Sequence, residues 1–193
     1  MPNLHKVKNT VAIVVAHGKS ELIMSQYIKS NLRLPIEIYS EKNGRQNIQI
    51  ESLLRVLEKG DFSTFNKFIN YYPVEVEKKQ IKGCKLFPIM DWDNCNKELY
   101  EEYKSGEMFK NIWLAPYIVP IWSYPNLDEV LCSCGIIDKK PSDRNKGSDY
   151  QRIFPIHRGE LDIIQVEKLR DSLKKCNKTN LDVFLDYCLS NVN

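Results

Sequence analysis

Apolar residues along this chain gather in short runs that stop abruptly at polar, charge-bearing residues, and the segments between them repeat apolar positions every three or four residues. Residues 11–16 are uniformly apolar and rich in valine and isoleucine, which predicts a parallel strand covered on both faces. Gly18 permits a tight turn, and Ser20 and Glu21 suit the start of a helix over 21–32. Leu22, Ile23, Tyr27, Ile28 and Leu32 form its apolar face.

Pro35 ends that helix, and residues 36–40 read as a second strand, followed by a polar loop containing Asn43-Gly44. Helices are predicted over 48–58 and 64–72, the latter with Phe65, Phe68, Ile69 and Tyr72 as a core-facing stripe. Residues 84–90 form a third strand, interrupted near its end by Pro88, that runs into Asp91-Trp92-Asp93-Asn94. A charged helix over 97–109 follows. The prolines at 116 and 120 make 113–123 an edge strand or two short pieces, and Asn126 caps a further helix whose first turn holds Asp128 and Glu129. Residues 138–150 have the composition of a mobile surface loop, 154–156 of a short strand, and 166–175 and 180–189 of terminal helices. Strands alternating with helices predict an α/β fold with a mostly parallel central sheet and helices on both faces.

A chain of 193 residues with 42% hydrophobic content is sufficient for one domain with a substantial core. The expected division is a core over 1–135 and a loop with a helical C-terminal extension over 136–193 packed on the same domain. A net charge of +3, from 28 Lys and Arg against 25 Asp and Glu, permits a nucleic-acid partner without requiring one. The polar opening of the chain and the shortness of run 11–16 predict neither signal sequence nor membrane span, hence a cytoplasmic protein whose six cysteines are free thiols. Cys132 and Cys134 are too close for Cys-x-x-Cys spacing, and no second pair stands at a zinc-site separation.

Asp91 and Asp93 stand on alternate residues at a strand end, so both carboxylates can converge on one hard cation such as magnesium or manganese. The Gly18 loop lacks the upstream glycine of a nucleotide-triphosphate loop, since Ile13 stands there, yet amides at a helix start still suit a phosphate. Lys19 is either a phosphate contact or a solvated lysine on a turn. His17 admits three roles: metal ligand, general base, or a strand-end residue that only bonds the loop. His157-Arg158-Gly159-Glu160 is a second polar cluster that suits a phosphate site.

The order His17-Gly18-Lys19-Ser20-Glu21, then Asp91-Trp92-Asp93, resembles the Toprim domain shared by topoisomerases, primases, OLD-family nucleases and small RloB-like defence nucleases. The likeness covers about 11–130, with 126–129 at the place of a further acidic patch. It implies that Asp91 and Asp93 hold Mg2+ or Mn2+, that Glu21 adds a ligand directly or through water, and that a phosphodiester of DNA or RNA is attacked. The family's usual glutamate before glycine is replaced by His17, so either an imidazole serves there as base or ligand, or the chain is a catalytically silent binding or sensor subunit. A setting in bacterial anti-phage defence, a partner protein of such a system, and a homo-oligomer are further expectations from the resemblance.

Overall fold

The computed structural model describes residues 9–92, 95–142, 144–156 and 161–192. β1 (Ala12–Ala16) is buried at every position and passes through His17 and Gly18 into α1 (Lys19–Leu32). The helix begins two residues before its predicted start because Gly18, in extended conformation, is the N-cap and its carbonyl accepts the Leu22 N–H at 3.1 Å. β2 (Ile36–Tyr39), α2 (Ile50–Leu57) and α3 (Phe65–Tyr71) follow. A small antiparallel hairpin of β3 (Glu75–Glu77) and β4 (Gln80–Lys82) precedes β5 (Lys85–Asp91). All of its residues except Ile81 are exposed, so no apolar alternation announces it. The chain continues through α4 (Lys97–Ser105), β6 (Ile121–Ser123), α5 (Leu127–Ser133), α6 (Lys146–Ile153), α7 (Ile163–Leu173) and α8 (Leu181–Ser190).

The central sheet is four-stranded and wholly parallel, in the order β2-β1-β5-β6. The chain leaves β1 for one neighbour, β2, and later returns on the other side as β5. Strand order therefore reverses between β1 and β5, and in open α/β sheets the crevice at the carboxyl ends of such a pair is where ligands bind.

Period-two alternation along the strands divides the core. Ala12, Val14, Ala16, Phe87 and Ile89 point to one face, covered by α1 and the helices α5 to α8. Ile13, Val15, Leu86 and Met90 point to the other, covered by residues of α2, α3 and α4. In the second layer Phe68 and Tyr72 are buried, and Phe65 packs edge-on against Trp113.

Pro88 lies inside the strand, opposite Val15, where proline is disfavoured because it cannot donate to a ladder. Its cost is met on the β6 side, where pairing is limited to a bridge at Leu86 and Ile118 and a ladder from Ile89 onward. Between them the buried Tyr103 hydroxyl lies 2.8 Å from both the Pro88 and Ile121 carbonyl oxygens.

Two expectations are overturned. The segment 138–150 is not simply a surface loop: its last five residues begin α6, Tyr150 is fully buried, and the helix lies against α1. Tyr150, Ile153 and Phe154 have the i, i+3, i+4 spacing of a buried helix face, which the polar residues before them obscure. Residues 154–156 form no strand, because Phe154 closes α6 and inserts beside Tyr27 at a ring separation of 5.3 Å. The C-terminal helices share one core with β1 and α1 through Val166, Leu173, Phe184 and Cys188. All six cysteines are free thiols, and among the described residues no helix is long and apolar enough to cross a membrane.

Candidate functional site

His17 leaves β1 with its backbone held on both sides. Its N–H donates to Ile89 of β5 at 3.0 Å, and its carbonyl accepts the Ile48 N–H at 2.8 Å. The side chain is buried beside the crevice, and Nδ1 has no hydrogen-bond partner among the described residues. An unpaired buried polar atom is costly.

Asp91 ends the adjacent strand, 6% exposed. Its Oδ1 accepts the Leu127 N–H at 3.0 Å, so the carboxylate stands at the start of α5, where negative charge is favoured. Asn126 caps the same helix by accepting the Glu129 N–H at 3.0 Å. β5 and α5 are thus joined at the residue the strand delivers to the edge.

Glu21 reaches back from the first turn of α1. Its Oε2 accepts the Gly18 N–H at 2.8 Å, whereas Oε1 is buried without a hydrogen-bond partner among the described residues. Burial raises the carboxyl above its ordinary 4.5, against the opposing pull of His17, the Glu21 and Gly18 amides, and Lys146. This bond explains Glu21 as a loop brace; its second oxygen stays available. Lys19 is exposed, and its stem passes α6 at Gly147, where an added Cβ would lie 3.9 Å from Cε.

The sequence pattern did not point to what α6 contributes. Lys146 Nζ pairs with Asp128 Oδ2 at 2.9 Å, and the Tyr150 hydroxyl donates to Asp128 Oδ1 at 2.5 Å. Burial disfavours the Lys146 charge, but Asp128, Glu21 and Asp91 together outweigh it and hold the ammonium above its ordinary pKa. Burial, then Asp128 and Glu21, push the Tyr150 phenol far up, so it remains a proton donor. A lysine and a tyrosine one helical turn apart were the available signal, hidden by the loop-like composition before them.

The structure therefore brings His17, Glu21 and Asp91 to one edge, adds Asp128, Lys146 and Tyr150, and leaves Lys19 at the rim. Asp93, Asn94 and His157–Glu160 lie outside the described residues. Glu129 is engaged in an ion pair with Lys140. Among the described residues no three His, Cys, Asp or Glu side chains are grouped to hold a metal ion. The Asp91 carboxylate and the unpartnered Glu21 Oε1 are nevertheless oxygen donors of the type magnesium takes, and that ion needs only one or two protein carboxylates beside its waters.

No family model matches the chain, and neither a curated protein nor a solved structure matches it.

Proposed function

We propose that this chain is a Toprim-fold, metal-dependent nuclease that hydrolyses phosphodiester bonds of DNA or RNA. The observation that carries the reading is the delivery of Asp91 by β5 to the carboxyl edge where strand order reverses, with the buried Glu21 and the ammonium of Lys146 gathered at the same edge. Magnesium or manganese, held by Asp91 and Asp93, would supply Lewis-acid stabilisation and an activated water.

The protein groups divide the remaining work. His17 takes the proton of the attacking water, a task for which an imidazole is suited near neutral pH. Lys146 and Lys19 offset negative charge on the phosphate oxygens, while Asp128 and Tyr150 hold Lys146 in place. Glu21 braces the Gly18 turn, and its second oxygen would be a further donor to the ion, directly or through water. An anti-phage defence setting is proposed from the motif resemblance alone.

A second reading, a catalytically silent binding or sensor subunit, is favoured by one observation: Lys146 already supplies a positive charge beside Asp128, Glu21 and Asp91. Incubation with single- and double-stranded DNA and RNA, plus magnesium or manganese, separates the two. The nuclease reading expects cleavage that Asp91→Asn abolishes. It fails if no combination is cut, or if Asp91→Asn cuts as well as the parent chain.

A further inference from the structure

Away from the acidic edge, a cavity of about 430 Å³ opens between the end of β2, residues 46–48, α2 and the turn into α3. Its size is within the roughly 300–1,000 Å³ of small-ligand sites. Aromatic rings form much of its wall: Tyr39 and Phe62 meet edge-on at 5.4 Å, Phe62 and Tyr72 lie 5.6 Å apart, and Tyr71 stands at the rim, 64% exposed. Arg55 and Lys59 add two cations, neither ion-paired among the described residues. Glu41 and Asp61 add two carboxylates, and the Tyr39 hydroxyl donates to Glu41 Oε1 at 2.9 Å.

Balanced charge makes this lining unsuitable as a simple anion site. Ring faces, cations and carboxylates together fit a ligand with a planar heterocycle, a phosphate and hydroxyl donors. The wall is also continuous with the acidic edge. Ile48 donates to the His17 carbonyl at 2.8 Å, and an added Cβ at Gly18 would lie 2.7 Å from Asn47 Oδ1.

We infer that this cavity binds one nucleotide unit of a single-stranded nucleic acid, its base against the tyrosine rings and its phosphate at Arg55 and Lys59. The nucleotide chemistry is carried by the cavity itself; that the nucleotide belongs to a strand rests on the nuclease reading. A strand held here leaves along residues 46–48 toward His17 and Asp91.

The test measures anisotropy of short labelled DNA and RNA oligonucleotides with the full chain and a chelator, with 5′-mononucleotides and inorganic phosphate as competitors. Oligonucleotides bind, mononucleotides displace them, and phosphate alone does not. Tyr71→Ala and Arg55→Ala, both at exposed positions whose unchanged melting confirms folding, weaken binding at least about tenfold through loss of stacking and charge. Failure of mononucleotides to compete, or parent-like binding by both cavity variants, overturns the inference. Equal affinity for mononucleotide and oligonucleotide keeps the nucleotide chemistry and overturns the strand. Binding without cleavage under any metal overturns the nuclease reading and leaves the cavity's ligand standing.

Discussion

Lys146, at the start of α6, is paired at 2.9 Å with Asp128 in the first turn of α5, and this contact brings two distant segments to the carboxyl edge of the sheet. Asp128 accepts from Tyr150 as well, so one carboxylate organises two side chains of the same helix. Lys146→Ala leaves that carboxylate half satisfied. It is expected to lower stability by about 1–3 kcal/mol, the cost of stranding one partner of a charged hydrogen bond. Urea denaturation measures it, and an unchanged midpoint counts against the contact.

Gly44, rather than Gly18, is the glycine the backbone demands. Its φ is +75°, and an added Cβ would lie 2.9 Å from the Lys19 Cα, which is backbone. Gly18 has an extended φ of −155°, and its close neighbour is the movable Asn47 side chain. Gly44→Ala is expected to cost about 2 kcal/mol or more and Gly18→Ala under about 1 kcal/mol. Thermal melts of the two variants side by side give the order, and the reverse order refutes it.

Tyr103→Phe removes the hydroxyl beside the Pro88 and Ile121 carbonyls at the gap in the β5–β6 ladder. The single hydroxyl hydrogen serves one of these buried carbonyls at a time, and its loss is expected to cost about 1–3 kcal/mol in denaturant unfolding. Tyr100→Phe provides the contrast, because its hydroxyl has no hydrogen-bond partner among the described residues.

Asp186 joins α8 to α7 by accepting from Lys174 and Arg170, and these partners lower its pKa below 3.8. A depressed carboxyl contributes stability that is present above 3.8 and is lost as pH falls through the lowered value. Asp186→Asn should therefore lower the melting temperature at neutral pH and converge with the parent chain in strong acid. Melting curves across that range check the sign, and a gap that widens in acid contradicts it.

His17→Ala probes the proposed base. Loss of a general base lowers rate by roughly 10²–10⁴-fold, with the greater part in kcat and little change in oligonucleotide binding. Equal rates in the two chains remove His17 from the chemistry.

Much of the α/β architecture was legible locally. The run 12–16 is apolar at every residue because β1 is covered on both faces, and Leu22, Ile23 and Ile28 reveal the buried side of α1 by spacing alone. Asp91 stood out because an apolar strand ends on it. Asn126 as a cap was equally local, requiring only its own side chain and the following turn. The exposed β3–β4 hairpin carried no such pattern, and the polar composition before Tyr150 concealed α6.

Strand and helix identity at these places follows from short-range chemistry: side-chain period, capping and the conformational limits of glycine and proline. Adjacency does not. That β1 lies between β2 and β5, bringing the carboxyl ends of β1 and β5 together where strand order reverses, results from burying two sheet faces at once, a property of the whole chain. The arrival of Lys146 and Tyr150 beside Glu21 depends on α6 docking against α1, where a fully buried tyrosine anchors residues whose own composition suggests a loop. Local pattern named the strand ends; long-range packing chose which side chains meet there.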